Sequence, residues 1–308
     1  MKWLCKLLVV LVLAIALVSG CEFEKTTSDE SSQHLSTSSV WGPTADEKRP
    51  ASRQLIVHFI DVGQGDCILV QFPNGKVMLI DAGDDQNAPF IVDYLREHRI
   101  RVIDYLVATH PHADHIGGLD EVIEAFDIGK VYMPRVTHTT RNFQEVLLSL
   151  QRRELAVTAA EKGVLIVKDR GVEARVLAPG ASSYEDLNDY SAVIRVVYGS
   201  TAFLFTGDAG KTSEQQMIES GSDLRADVLK VAHHGSSDAT TEAFLQRVSP
   251  KYAVISVGRN NDYGHPHRET LDALSRNGIQ VYRTDIDGTI VFSSDGEKLA
   301  VNVSNNNR

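Results

Sequence analysis

Apolar positions along the chain follow two regimes. From Glu22 to about Arg53 they are sparse, with only Val40 and Trp41 set close together, whereas from Leu55 to residue 303 short apolar runs alternate with amphipathic stretches. Compact runs rich in β-branched and aromatic residues predict strands at 55–60 and 67–72, and Pro73-Asn74-Gly75 turns the chain into a third at 76–80. The pattern then alternates. It predicts a helix after Pro89, a strand at 105–108, a helix after Gly118, a strand near Val131 and a helix over 142–153. Strands follow at 174–178, 193–198 and 202–206, a helix near 211–219 and a strand at 227–231. A helix at 240–248, a strand at 252–257, a helix at 268–276, a strand at 280–283 and a hairpin at 288–303 close the chain. Strands first and strand–helix units later predict an α/β fold. Its form is an αββα sandwich of two mixed β-sheets with outer helices.

The segment before Leu55 cannot supply a core, because it is Ser/Thr-rich and charged. Its first part has a different pattern: Lys2 and Lys6 flank the start of an apolar run from Leu7 to Val18, followed by Ser19-Gly20-Cys21. That is the layout of a secretory signal, and the run falls short of the roughly 18–20 apolar residues that span a bilayer. Small residues directly before Cys21 resemble a bacterial lipobox, which implies lipidation of Cys21 and a stable anchor. The expected organisation is a lipoprotein signal at 1–20, a lipidated Cys21 with a flexible stalk over 21–53, and one hydrolase domain at 54–308. The expected location is the extracytoplasmic face of a bacterial cell membrane.

Composition narrows the class further. With 308 residues, 43% of them hydrophobic, the chain holds enough apolar material for a full core. The net charge of −10 becomes −12 once Lys2 and Lys6 leave with the signal, so no bulk positive field draws in polyanions. A nucleic-acid substrate would need a local basic patch. With Cys5 removed and Cys21 acylated, Cys67 is the one free thiol, and no intrachain disulfide is expected.

The strongest chemical signal is Thr109-His110-Pro111-His112-Ala113-Asp114-His115-Ile116-Gly117-Gly118, where a strand runs out and a helix begins. On such a loop His110 and His112 are placed to face one cation while Asp114 and His115 face a second. Nitrogen and oxygen donors without thiolate suit two divalent ions, Zn²⁺ first and also Mn²⁺ or Fe²⁺.

His-x-His-x-Asp-His after a strand resembles the signature of the metallo-β-lactamase-fold superfamily, and the likeness covers about 54–303. It implies that Asp81 supports the metal loop from behind, that Asp208 in Thr206-Gly207-Asp208 bridges the ions, and that a histidine of His233-His234-Gly235-Ser236 completes the second ion. Either imidazole fits that station; side chains alternate along a strand, which lets one ligate while the other faces substrate, and His233 is slightly favoured as the ligand. The motifs Asp61-Val-Gly-Gln-Gly-Asp66, Leu229-Lys-Val-Ala-His-His-Gly-Ser236 and Tyr263-Gly-His-Pro266 resemble the C-terminal domain of ComEC-type competence proteins, and also bacterial choline-phosphoesterases. Asp61 is expected behind the ligands with Asp81. The third histidine that such hydrolases supply to the first ion is missing: His138 lies in a Thr-rich loop and is read as surface. Either Asn188 or a water then completes that ion.

These residues imply hydrolysis by hydroxide formed on two ions about 3.5–4 Å apart. Asp114, His265 and Lys230 are the catalytic candidates, Lys230 and His265 by facing the substrate phosphate, with His267 near the mouth. His58, on an apolar strand, reads as a satisfied core histidine. The expected activity is a phosphodiesterase or nuclease acting on nucleic acid or a phosphate-bearing envelope component. Carboxylic ester, lactone or β-lactam hydrolysis is the second reading, and a binding protein without turnover the third. No protein partner is inferable from the residues.

Overall fold

The structure, a computed structural model, describes residues 54–305. The expected signal, stalk and lipidated Cys21 lie outside the described residues. Strands β1 (Leu55–Phe59), β2 (Ile68–Gln71) and β3 (Val77–Ile80) form the opening meander. Helix α1 (Ala88–Glu97) leads to β4 (Val102–Val107), and α2 (Ala113–Ile116) and α3 (Leu119–Ala125) lead to β5 (Asp127–Met133). Helix α4 (Arg141–Arg152) precedes β6 (Val157–Ala159), β7 (Leu165–Asp169), β8 (Val172–Ala178), β9 (Val193–Tyr198) and β10 (Thr201–Phe205). Helix α5 (Lys211–Glu219), β11 (Val228–Lys230), α6 (Glu242–Val248), β12 (Tyr252–Ile255), α7 (Arg268–Arg276) and β13 (Gln280–Arg283) come next. The short α8 (Thr284–Asp287) and the hairpin β14 (Ile290–Ser294) and β15 (Leu299–Val303) end the domain.

These strands make two sheets, one of eight in the order β15-β14-β1-β2-β3-β4-β5-β6 and one of seven in the order β13-β12-β11-β10-β9-β8-β7. Each is antiparallel in one part and parallel in the other, through β3–β6 and through β10–β13. The expected αββα architecture is the one found. Burial on both faces explains the near-continuous apolar runs of the parallel strands. Between the sheets lies a core that includes Phe59, Phe203, Phe205 and Phe292. A second core packs α1, α3 and α4 on the outer face of the eight-stranded sheet, with Leu95, Ile123 and Val146 among its members. A third packs α6 and α7 on the other sheet through Phe244, Leu245 and Leu274. Cys67 is buried in the second, as a small core residue. Among the described residues no helix is long and apolar enough to cross a membrane.

Strands β3, β4, β10, β11 and β12 position the candidate chemistry. All five belong to the parallel parts of their sheets, and the loops after them carry Asp81, His110–His115, Asp208, His233–His234 and His265. Loops at the carboxyl ends of parallel strands are where α/β proteins place their ligands.

Candidate metal centre

Donor atoms of Asp114, His115, Asp208 and His234 lie within 4.8 Å of one another, three of these residues being buried. His115 Nε2 stands 3.2 Å from Asp208 Oδ2 and 3.9 Å from Asp114 Oδ2. His234 Nε2 stands 3.1 Å from Asp114 Oδ2 and 3.5 Å from Asp208 Oδ2. Beside them His110 Nε2 is 3.8 Å from Asp208 Oδ2 and 2.9 Å from His112 Nδ1. Asp208 thus touches both halves of the group.

The far nitrogens are held from outside. His115 Nδ1 pairs with Asp81 Oδ2 at 2.8 Å, and His234 Nδ1 with the Ser256 carbonyl at 2.8 Å. Each outer partner accepts a hydrogen bond from an Nδ1–H, so each ring presents its Nε2 to the cluster, as carboxylate- and carbonyl-oriented metal ligands do. Asp81 is itself fixed by the Thr109 N–H at 2.7 Å and the Thr109 hydroxyl at 2.6 Å. His115 Nε2 and Asp208 Oδ1 are buried with no hydrogen-bond partner. The orphaned Nε2 of His115, facing the carboxylates of an N/O set, fits a divalent cation. The group is therefore a candidate two-metal site.

Protons mark the same place. Burial opposes charge on His234, yet Asp208 and Asp114 outweigh it and lift its pKa to about 9. Burial likewise opposes charge on His115, and Asp208 and Asp114 hold it well above the ordinary imidazole value. The carboxylates thus favour positive charge at this point, which a bound divalent ion would supply.

Several expectations need correction. His234, not His233, enters the cluster; the His233 ring lies beside His265 at 5.5 Å between centroids. Both residues have left-handed backbone, φ 50° and 51°, so strand alternation has stopped before them. Lys230 does not face substrate: it is fully buried, with Nζ 2.6 Å from Asp66 Oδ2 and 3.1 Å from the Gly207 carbonyl. Asp61 lies in the cleft wall, outside the donor clusters, and its carboxylate accepts from Gly63 N at 3.1 Å. Asp66, which ends the same motif, sits behind the ligands instead. Its Oδ2 is 3.8 Å from His115 Nδ1 and its Oδ1 3.6 Å from His234 Nδ1. His138 is half-buried and edge-on to His112 at 6.3 Å, with Nδ1 bonded to Thr140, so it borders the site. Asn188 is buried, its Oδ1 has no partner, and it lines a cavity of about 470 Å³ with His233, Gly210 and Lys211.

A second cleft of about 770 Å³ opens on Asp114. Its lining is acidic and aromatic: Asp61, Asp84, Asp262, Phe90 and Tyr263. His265 stacks on Tyr263 at 5.6 Å, and its Nδ1 is buried without a partner. Burial, then His233, His234 and His267, push its pKa down to about 4, which leaves the ring neutral near pH 7. His267 Nδ1 accepts from Ser237 N at 3.0 Å, tying it to the loop after His234.

Fold and donor set together define a metallo-hydrolase scaffold. Residues 60–259 match the metallo-beta-lactamase superfamily, and the chain belongs to it. It is 34% identical over 255 residues to ComE operon protein 3 of Bacillus subtilis (strain 168), covering 77% of this chain and 32% of that protein. Competence protein ComA of Neisseria gonorrhoeae is 33% identical over 236 residues, covering 75% of this chain and 31% of that protein. The chain thus corresponds to about a third of the length of these ComEC-type relatives. A solved structure of similar fold is Igni18, a novel metallo hydrolase from the archaeon Ignicoccus hospitalis KIN4/I. Its TM-score is 0.52 at 19% identity, covering 77% of this chain and 98% of that one.

Proposed function

We propose that this protein is a metal-dependent phosphodiesterase held at the extracytoplasmic face of a bacterial membrane through Cys21. The observation that carries the hydrolytic reading is the convergence of His115 Nε2, His234 Nε2 and the Asp114 and Asp208 carboxylates on one buried point beside an open cleft. His110, His112 and Asp208 would hold one ion, with Asn188 or a water beside them, and Asp114, His115, His234 and Asp208 the other. Zn²⁺ suits the donors first, and Mn²⁺ or Fe²⁺ also fit. Bound there, such ions supply Lewis acidity toward a phosphoryl oxygen and a water of lowered pKa.

The chain's own groups do the rest. Asp81 and the Ser256 carbonyl fix the imidazoles before substrate arrives. Asp114 is the cluster carboxylate that lines the cleft, so the ion it would hold faces the entering substrate. His265, neutral at working pH, offers a hydrogen bond at the mouth. Proton transfer or donation by a placed side chain contributes typically 10²–10⁴-fold.

Likeness to ComEC-type competence proteins and choline-phosphoesterases supports phosphate over carbonyl substrates. The acidic cleft supports an ester of low total charge, such as an envelope component, over a long polynucleotide. Anchoring rests on the Val18-Ser19-Gly20-Cys21 run. Turnover of bis(p-nitrophenyl) phosphate with Mn²⁺ or Zn²⁺, beside single-stranded DNA, a choline phosphodiester and nitrocefin, tests the reading. Faster cleavage of the β-lactam than of every phosphodiester would sink it; no turnover of anything by metal-loaded protein would leave a binding protein. Cys21→Ala should give a protein that no longer fractionates as a processed, detergent-extractable lipoprotein.

A further inference from the structure

His115 stands between two sets of metal-competent donors. Its Nε2 faces the cluster already described, while its Nδ1 faces inward to a second buried group, Asp66 and Asp81, whose donor atoms and its own lie within 4.8 Å of one another. Asp81 has its partners in Thr109 and His115. Asp66 differs. Its Oδ1 is buried with no hydrogen-bond partner, and the cation on its Oδ2 is Lys230 Nζ at 2.6 Å. The Lys230 side chain is fully buried, donates also to the Gly207 carbonyl at 3.1 Å, and ends 3.8 Å from Asp208 Oδ1.

We propose that Lys230 is a built-in cation that fills this inner carboxylate pocket in place of a metal ion, holding Asp66 out of coordination and confining divalent ions to the cleft side of His115. The inference rests on the two-metal reading of the cleft-side cluster. An ammonium has three donors and no acceptor; here Asp66 and the Gly207 carbonyl each accept from it, and Asp208 Oδ1, at 3.8 Å, adds a second carboxylate within ion-pair range. A buried carboxylate that lost this partner would stand uncompensated, which is strongly unfavourable. All-oxygen surroundings with one imidazole nitrogen nearby suit a divalent ion as the substitute. With Lys230 present, no ion is needed on the inner side. His115 keeps its Nδ1 proton for Asp81, and Nε2 is left for the cleft.

Metal stoichiometry of the purified full-length chain tests this by equilibrium dialysis against Mn²⁺ and elemental analysis. Two ions are expected in the wild type, one more in Lys230→Met, and two again in Lys230→Arg and in the Lys230→Met/Asp66→Asn double variant. A folded Lys230→Met protein that binds the wild-type number overturns the proposal. A wild type that binds no metal defeats the two-metal reading instead. Should Lys230→Met not fold, Asp66→Asn decides. It frees the ammonium to turn on Asp208, so Mn²⁺ affinity on the cleft side should fall at least about tenfold, and unchanged affinity overturns the proposal.

Discussion

His58 shows how one side chain links burial to pH. It lies on β1, its Nδ1 bonded to the Tyr94 hydroxyl at 2.8 Å and its Nε2 buried without a partner. Burial, and then His98, push its pKa down to about 4. Between pH 6.5 and 4 the unfolded chain takes up a proton at this residue that the folded one refuses. Its contribution is therefore intact above pH 6.5 and lost as pH falls, by about 3 kcal/mol in all. His58→Leu should flatten that acid limb; denaturant titrations at pH 7 and pH 4.5 that give wild type and variant the same loss would refute it. At the metal centre, Asp208→Ala should remove metal and abolish hydrolysis in a folded protein, because Asp208 reaches both His110 and the His115–His234 pair. His234→Ala should cost metal affinity far more than His233→Ala, since only the first ring meets Asp114 and Asp208. Equal losses in elemental analysis would contradict that assignment.

Among elements, the β1–β2 loop controls the metal loop through backbone contact. Asp66 N donates to the Asp114 carbonyl at 3.1 Å, and Gly65, at φ +137°, leaves room for that carbonyl. A Cβ at position 65 would be driven into it. Gly65→Ala should destabilise the domain by about 1–3 kcal/mol and weaken metal binding, because Asp114 must shift. Unchanged Mn²⁺ affinity in a calorimetric titration would show that the loops are independent. The elements legible in the sequence are those with strong periodicity, such as α4 and the runs that form β1–β3. The short strands β6 and β7 escape that reading because they carry exposed residues such as Val157 and Leu165, and β6 is an edge. Chemistry is legible where donors are contiguous, as in His110–His115. It is not where a role depends on the last turn of a strand: His233 and His234 leave extended backbone, and the alternation that suggests Lys230 for substrate points it inward instead. Asp66 is visible in Asp61-Val-Gly-Gln-Gly-Asp66, yet only the fold brings it to Lys230.

At the scale of the whole domain, the site joins the two sheets. His110, His112, Asp114 and His115 follow β4 of one sheet, and Asp208 and His234 follow β10 and β11 of the other. Ions bound between them would act as a staple, stabilising the folded state by about 2.7 kcal/mol per site at a hundredfold excess over Kd. Metal removal by chelation should lower Tm by about 5–10 °C for one such site in a domain of this size, and a Tm indifferent to chelator and added Mn²⁺ would contradict it. The sheet order has another consequence. Strand β1 is parallel to β3, because each is antiparallel to β2, so it enters at the pole away from the metal loops and runs toward them. Strand β15 also runs that way and ends beside the site pole: Ser304 N bonds to the Thr289 carbonyl, and Asp61, in the cleft wall, bonds to the Thr289 hydroxyl. Coupled to a bead or sensor surface through residues ahead of Gln54, the domain would turn its cleft outward to solvent. Coupled just past Asn305, it would turn the cleft toward the support and obstruct its own entrance.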